Sequence, residues 1–543
     1  MMDLWLFSGT KLRTKFDIID NYENIEVPEQ YINCDAYLIA LNNSNQILKV
    51  KKETNSSSIN SRSIINDDSN ITSNDNFIES QIKMIPPKLP DIKPKLTKIN
   101  KSSRAVINNN PQATTNYSVG DTRTFFGSLE SGISAPLAED SELMAIGNHC
   151  RIWYKAKDGI DITDNSVFSA IANKFDSIFE KETYIFGSNI AKYNFSEVIP
   201  RNVDKIEILI YDLYDNYETE KANNGGTFGY FYGLDMITNA YVHSEISEYL
   251  ISNECQCLHL DSYWLSVELD SIISTSAHEF QHLLNFVNKF INSGGYTSSS
   301  TWFNEMMSMV CEDIMQTQLG INDSGSPKKR LYWFNNNFNY GFTTWRDGEE
   351  DAPNDVYISY ANAYTFGAYL LRNYGIDFIY ELAHSSYVDQ DAITKALIKI
   401  HANEKSFDEV FSNYYNVIIN PTGTNFTLNK AVEKTYNIGT TANPNNVKFE
   451  CSAINLNTVL TCSKDSSTGK LPTWFSNQTY KSNPDNDFYG PVILNDGWFY
   501  INLAPQGMFA SHLGKGYDNY NIARGFNGVD FTSPIAYYVV FVE

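Results

Sequence analysis

Apolar and polar residues follow two different periods along the first half of this chain. Between residues 117 and 154, short apolar runs alternate with turn-forming residues, which predicts strands. A Thr-Asp-Asn cap at 163–165 then precedes apolar residues at helical spacing, which predicts a helix through Val167, Ile171, Phe175 and Phe179. Further strands are predicted at 206–212, 225–232 and 257–263. The pattern therefore indicates a subdomain built on a mixed sheet.

The helical period dominates the residues that follow. It predicts helices around 270–287 and from Trp302 onward, and again over the ranges 360–374, 377–384, 391–401 and 406–417. From about residue 436 the period changes to short alternating runs separated by Asn, Gly and Pro, such as 490–494 and 536–542. The sequence therefore predicts an α+β fold, with a main domain over 116–435 and a β-rich domain, a sandwich, over 436–543.

Residues 1–115 differ from the rest in composition. The stretch from about residue 42 to 116 is rich in Asn, Ser, Lys and Asp, and its proline-containing part at 85–94 favours extended conformation. We interpret 1–115 as a largely low-complexity leader or linker that is dispensable for the fold and sensitive to proteases. A basic tract runs through it to Arg104. Two interpretations of this tract stay open, a solvated charge run and a propeptide that docks on an acidic cleft.

The overall composition limits the kinds of partner. The chain has 543 residues, of which 42% are hydrophobic, enough for globular cores over most of its length. Its formal net charge of −23 argues against nucleic acid and anionic membranes as partners. No run of about 18 apolar residues occurs, so no transmembrane segment is predicted. The N-terminus lacks a basic segment and a long enough apolar run, so no signal peptide is predicted there either.

The residues 278–282 read His-Glu-Phe-Gln-His on a predicted helix. Residues four apart share one helical face, so His278 and His282 can bind the same metal, and Glu279 points at the water that such a metal would hold. Five-residue patterns recur in proteins that bind nothing. The alternative is therefore two surface histidines on an ordinary helix.

A catalytic zinc takes three protein ligands, and Glu305 is placed to supply the third. It lies in a Trp-Phe-Asn-Glu segment at the start of the next predicted helix, and a loop through 293–301 lets the two helices pack as a hairpin. Glu312 lies two turns further on the same face. It is either a hydrogen-bond acceptor for a ligand imidazole or a solvated carboxylate, and the sequence favours neither.

These segments resemble the gluzincin zinc metallopeptidases, whose third ligand is a glutamate in a Trp-x-Asn-Glu segment with a second glutamate seven residues later. One departure is Met309, which stands where the thermolysin-like pattern has an aspartate, so the second helix is similar to the aminopeptidase-like arrangement. More narrowly, the stretch from about 117 to 415 resembles the hyicolysin family of bacterial neutral zinc metallopeptidases, peptidase family M30, through the segments 119–126, 150–154, 229–232 and 360–366. The resemblance implies a gluzincin-type catalytic domain, with zinc between a sheet subdomain and a helical one, and a secreted or cell-surface location.

We therefore expect a zinc-dependent endopeptidase that acts on protein or peptide substrates. His278, His282 and Glu305 are the expected zinc ligands, and Glu279 is the expected general base. A sheet edge beside the first helix is expected to hold the substrate backbone, with residues 261–264 as the candidate edge. Two other functions stay open: a zinc-free surface-binding or adhesion protein on the same scaffold, and a zinc hydrolase of non-peptide substrates.

The oxyanion formed during peptide hydrolysis needs a further donor. Tyr360 and Tyr364, one turn apart on a predicted helix, are the candidates, and core packing is the alternative for both. The acidic loop from Asp347 to Asp355 offers oxygen ligands for calcium, but it lacks the ordered spacing of a calcium loop, so a solvated charge run is favoured.

The remaining histidines and the cysteines show no convincing metal pattern. The seven cysteines are too scattered for a disulfide framework. Cys255 and Cys257 lie two apart on a predicted strand, a pair too small to hold a metal without further ligands. The other histidines are interpreted as surface or packed core residues: His149, His243, His259, His384, His401 and His512.

Overall fold

The computed structural model describes most of the chain between residues 116 and 463, with shorter segments on either side. The described residues are 4–7, 11–16, 24–26, 34–51, 83–84, 96, 116–128, 134–136, 140–199, 205–347, 355–423, 426–463, 478–479, 487–494, 500–515, 519–521 and 535–542.

A six-stranded mixed sheet forms the first part of the main domain. Its three central strands are parallel to one another and its outer pairs are antiparallel. In spatial order the strands are Gly229–Phe231, Cys257–Asp261, Ile206–Tyr211, Cys150–Tyr154, Ser141–Ile146 and Thr122–Arg123. Every residue of Ile206–Tyr211 is buried, which explains why this strand is apolar at nearly every position instead of alternating.

The edge of this sheet differs from the prediction. Residues 261–264 do not form an edge strand, because Cys257–Asp261 lies inside the sheet and the helix Ser262–Val267 begins directly after it. The Asp261 carboxylate caps this helix by accepting from the Trp264 backbone N–H at 2.9 Å. The edge strand is Gly229–Phe231.

The predicted helix after residue 165 is confirmed as Ser166–Phe186. It connects two parallel strands, Cys150–Tyr154 and Ile206–Tyr211, as a crossover helix. Its buried residues include Phe168, Ile171, Phe175 and Ile178, which repeat every three or four positions and face the sheet and the helices beyond it.

The helical part of the main domain begins with two long helices. We call Leu269–Asn285 the motif helix and Thr301–Leu319 the glutamate helix. The other α-helices that the structure describes after them are Leu331–Asn337, Asp355–Tyr374, Ile376–His384, Asp389–Lys399, Phe407–Tyr414 and Asn416–Ile419. All of them overlap the predicted helical ranges except Leu331–Asn337, which was not predicted. A fully buried ion pair between Asp313 and Arg372, with an Nη1–Oδ2 distance of 2.7 Å, joins the glutamate helix to Asp355–Tyr374.

A seven-stranded sheet combines residues from both ends of the chain. Its strands are, in spatial order, Leu4–Phe7, Lys11–Phe16, Ile535–Val542, Asp35–Asn42, Met508–Lys515, Ile493–Leu494 and Gln478–Thr479. Two-stranded pairs add Leu48–Lys51 with Tyr500–Leu503, Leu460–Ser463 with Asp487–Tyr489, Asn24–Glu26 with Asn519–Asn521, and Phe126–Ser128 with Ser134–Pro136.

This sheet changes the interpretation of residues 1–115. Asp35–Asn42 is buried at seven of its eight positions and pairs with strands on both sides, so this part of the predicted leader is folded. Further along, Lys83–Met84 pairs with Gly225–Gly226, and the Leu96 backbone N–H donates to the Gly294 carbonyl at 3.1 Å. The composition of residues 42–116 does not reveal the strand, because the strand lies before that polar stretch begins.

The α+β class is confirmed. The gluzincin arrangement and the division into three domains stay predictions, and the strand Val432–Asn437 crosses the predicted boundary at 435/436. This strand pairs with Asn446–Cys451, which packs against the glutamate helix. In the part of the chain that the structure describes, no helix is both long enough and apolar enough to cross a membrane.

Candidate metal centre

The motif helix is buried along most of its length, including its polar residues. Two of its hydroxyl groups are satisfied by its own backbone, since Thr275 Oγ1 donates to the Ser271 carbonyl and Ser276 Oγ to the Ile273 carbonyl. His278 and Glu279 are 2% and 4% exposed. The alternative interpretation, surface histidines on an ordinary helix, therefore does not hold for His278.

The glutamate helix packs against the motif helix, as the hairpin prediction requires. Two hydrogen bonds tie their polar residues together: Ser308 Oγ donates to Gln281 Oε1 at 2.6 Å, and Asn285 Nδ2 donates to Asn304 Oδ1 at 2.8 Å. This packing brings Glu305 to the two histidines.

The side chains of His278, His282 and Glu305 converge. Glu305 Oε2 lies 3.0 Å from His278 Nε2, and Glu305 Oε1 lies 3.6 Å from His282 Nε2. One donor atom from each of the three lies within 4.8 Å of the other two. Burial raises the pKa of the Glu305 carboxyl, but the imidazoles of His282 and His278 more than offset this effect and hold the pKa below its ordinary value. An ionised carboxylate therefore faces two imidazole nitrogens.

The outer nitrogen of each imidazole has its own partner. His278 Nδ1 lies 2.8 Å from Glu312 Oε1, and Ser274 Oγ donates to Glu312 Oε2 at 2.6 Å. His282 Nδ1 lies 3.0 Å from Ser308 Oγ, which can accept its proton because the serine hydroxyl hydrogen points to Gln281. Both rings are thus held with Nε2 toward Glu305, the orientation that a zinc site with three protein ligands needs.

Glu312 is not a solvated carboxylate, since it is 3% exposed and bonded to His278. Arg330 also lies beside Glu312, with its Nη1 at 3.8 Å from Glu312 Oε1. Burial raises the pKa of Glu312, and the hydrogen bond from His278 together with the charge of Arg330 lowers it below its ordinary value. The sequence did not point to Ser274, Ser308 or Arg330, because none of them belongs to a recognisable spacing with the motif.

Glu279 is buried beside the same cluster. Burial raises the pKa of its carboxyl above the ordinary value, while the imidazoles of His278 and His282 pull in the opposite direction. A carboxylate in these surroundings is a stronger base than one in water. This property suits a group that must take up a proton near neutral pH.

The two candidate tyrosines point to different surroundings. The Tyr364 hydroxyl donates to Asp313 Oδ2 at 3.1 Å, so it belongs to the buried ion pair of Asp313 with Arg372. The Tyr360 ring instead lies against Arg330, 5.3 Å from its guanidinium carbon. Burial raises the pKa of Tyr360 well above its ordinary value, and the charge of Glu305 adds to this effect. Of the two tyrosines, Tyr360 is therefore the one whose surroundings include Glu305 and Arg330, while the Tyr364 hydroxyl is bonded to Asp313.

The edge strand of the six-stranded sheet lies directly beside the motif helix. A Cβ atom at Gly229 would lie 2.8 Å from Thr275 Cγ2, which is too close for any side chain. Glycine at this position is what lets the strand approach the helix.

The acidic loop from Asp347 to Asp355 was considered as a calcium site. Its residues 348–354 lie outside the described residues, so calcium binding there stays a prediction.

Comparison with known proteins gives a family match whose residues contain this site, and one similar relative. Residues 156–431, just over half of the chain, match the peptidase M30 family. The neutral metalloprotease ShpI of Staphylococcus hyicus is 23% identical over 284 residues, which are 49% of this chain and 56% of the relative. The match thus spans about half the length of that relative.

Proposed function

The chain belongs to the peptidase M30 family, and on this basis we propose that it is a zinc-dependent endopeptidase with His278, His282 and Glu305 as metal ligands. The observation that carries the proposal is the convergence of these three donors, with the outer nitrogen of each imidazole already bonded. Two imidazoles and a carboxylate form a donor set that suits zinc and leaves a coordination position open. A secreted or cell-surface location stays a prediction.

Each residue has a task that follows from its position. When bound, zinc would supply a Lewis acid that polarises the peptide carbonyl and acidifies a water molecule. Glu279 takes the proton of the attacking water and passes it to the leaving amine. Glu312 and Ser308 keep the imidazoles of His278 and His282 in the tautomer that presents Nε2.

The edge strand Gly229–Phe231 is the surface that fits an extended peptide. In the described part of the chain its backbone pairs with Cys257–Asp261, and it lies against the motif helix. A substrate strand that pairs with the opposite side of Gly229–Phe231 would lie along the metal cluster, which is the strand-addition mode of peptide recognition. This geometry favours cleavage within a chain and supports an endopeptidase.

The proposal is tested by casein cleavage with purified protein. Dialysis against a chelator should abolish cleavage, and stoichiometric zinc should restore it, because the three ligands cannot activate water without the metal. Restoration by calcium but not by zinc would contradict the zinc assignment. Zinc binding without cleavage of any protein in a proteome-wide peptide profile would favour one of the two alternatives, an adhesion protein or a hydrolase of non-peptide substrates.

A second prediction separates the two tyrosines. We expect Tyr360→Phe to lower kcat by about 10²–10³-fold with a small change in KM, because removal of one oxyanion donor typically has this effect. Tyr364→Phe is the matched control, and it should keep kcat close to that of the unmodified protein while it lowers the free energy of unfolding by about 1 kcal/mol, since it removes a buried hydrogen bond to Asp313. Steady-state kinetics and denaturant unfolding distinguish the two. Equal kcat for Tyr360→Phe and the unmodified protein would remove Tyr360 from the mechanism.

A further inference from the structure

Three side chains that commonly bind metals, Asp235, Cys257 and His259, meet on the other side of the six-stranded sheet, and Cys255 lies nearby in the chain. Leu260 faces the motif helix. Its Cδ2 and Thr275 Cγ2, which belongs to that helix, both lie close to the position that a Cβ atom at Gly229 would take. Side chains alternate along a strand, so Cys257 and His259 point to the opposite face. Cys255 lies two residues before this strand, in the bend that leads into it. This cluster is therefore separate from the site formed by His278, His282 and Glu305.

The carboxylate of the cluster comes from a different segment. Asp235 lies in the short helix Gly233–Met236, and its Oδ2 lies 2.8 Å from His259 Nε2. One donor atom each of Asp235, Cys257 and His259 lies within 4.8 Å of the other two. The Cys255 thiol lies close enough to that of Cys257 to raise its pKa, and the Cys255 backbone N–H donates to the Asp235 carbonyl at 2.8 Å. A thiol, an imidazole and a carboxylate thus surround one point, with a second thiol beside them.

We propose that Cys255, Cys257, His259 and Asp235 bind a second, structural zinc ion. Two thiolates with an imidazole and a carboxylate are a closed tetrahedral donor set for zinc. Zinc–ligand bonds of about 2.0–2.3 Å place neighbouring donors about 3.3–3.8 Å apart. The spacing of Asp235, Cys257 and His259 brackets this range, so the His259–Asp235 contact opens by about half an ångström when the ion enters, and the Cys255 side chain turns toward it as the fourth ligand.

The charges of the cluster balance. The incoming Zn²⁺ replaces the two thiol protons of Cys255 and Cys257, so the net charge of the buried region does not change. Arg123 lies close enough to both cysteines to interact with their charges, and it offsets the charge that Asp235 adds. All four ligands are 4% exposed or less, so the ion is taken up during folding and is shielded from water afterwards.

The surroundings already orient the ligands. Asp235 Oδ1 accepts two hydrogen bonds from Asn253, one from the backbone N–H and one from Nδ2, each at 2.9 Å, which leaves Oδ2 for the metal. His259 Nδ1 lies 3.4 Å from the Tyr211 hydroxyl, and that hydroxyl lies 2.7 Å from the Tyr230 hydroxyl. With its proton on Nδ1, His259 presents Nε2 to the ion, as metal-ligating histidines do.

The position of this site suggests what the ion does. Tyr230, in the edge strand Gly229–Phe231, pairs with His259 and stacks on its ring at 4.3 Å. An ion held by His259 and by Asp235, which follows the edge strand closely, fixes this strand against its neighbour. The structural zinc thus stiffens the sheet edge, and this role does not depend on the proposed peptidase activity.

Metal counting on the full chain tests the inference. The unmodified protein should hold two zinc ions per chain after removal of loosely bound metal, and the variant His278→Ala with His282→Ala should hold one. Cys257→Ser should also hold one, whereas the control Cys451→Ser, which changes a buried free cysteine elsewhere, should hold two. One zinc in the unmodified protein and none in the double histidine variant would overturn the second site. One zinc in both would instead support it and refute the proposed catalytic centre.

Cobalt substitution provides a readout that does not require a cysteine variant to fold. Cobalt bound to thiolates absorbs strongly in the near ultraviolet, and cobalt bound to two imidazoles and a carboxylate does not. The double histidine variant loaded with cobalt should therefore show the thiolate band at full strength. Absence of the band, or a disulfide between Cys255 and Cys257 found by mass spectrometry of the freshly purified protein, would overturn the inference.

Discussion

Glu279→Gln should lower kcat/KM for casein by about 10²–10⁴-fold and leave the zinc content unchanged, because it removes the proton acceptor but keeps the size of the side chain. Glu279 is not one of the three converging donors, so the metal does not depend on it. The measurement is steady-state cleavage together with metal analysis of the same sample. The cleavage rate should fall while the zinc content of the protein stays the same.

Asp270→Asn is the matched control for this variant. It makes the same carboxylate-to-amide change in the first turn of the motif helix, about two and a half turns away from Glu279. We expect its kcat/KM to stay near that of the unmodified protein. If Glu279→Gln cleaved casein as fast as this control, Glu279 would not be the general base and the proposed mechanism would be wrong.

Glu305→Gln should abolish activity by a different route, through loss of zinc from the catalytic centre. A neutral amide replaces the carboxylate that faces both imidazoles, at 3.0 Å from His278 and 3.6 Å from His282. Removal of a residue that hydrogen-bonds to a metal ligand typically lowers metal affinity about 10–100-fold. Removal of a ligand itself should therefore lower the affinity by more than about 100-fold. Competition with a fluorescent chelator measures the affinity of this site.

The contrast between the two glutamates is the sharper test. Glu279→Gln should retain the metal and lose the rate, whereas Glu305→Gln should lose both, with partial recovery of the rate at high zinc. Equal zinc affinity for Glu305→Gln and the unmodified protein would show that the third ligand lies elsewhere. In that case the hydrogen bond of Glu312 to His278 would need a new explanation as well.

Part of the proposed catalytic centre follows from local sequence. A four-residue spacing puts His278 and His282 on one helical face wherever that helix lies, and the helical period around them predicts the motif helix. Glu305 could be proposed because a short connection between two helices favours a hairpin. These are short-range rules of backbone geometry, so a single sequence is sufficient to apply them.

Other features depend on packing between distant segments. Tyr360 and Tyr364 are equivalent in sequence, and only the position of Asp313 on another helix assigns the Tyr364 hydroxyl to the buried ion pair. The strand Asp35–Asn42 could not be assigned to the C-terminal sheet, because its partners lie more than 450 residues away along the chain. Sequence periodicity gives the type of an element but not its partner.

The sequence alone determined the α+β class, the resemblance to peptidase family M30 and the face that carries His278, Glu279 and His282, because each depends on periods and motifs within a few tens of residues. The tertiary structure alone decided that Glu312 is buried against His278, that Gly229–Phe231 is the sheet edge, and that Asp235 joins Cys257 and His259. The reason is physical. Hydrogen bonds and metal sites require donor atoms a few ångströms apart, and that proximity is created when helices and strands from separate parts of the chain bury their apolar faces together.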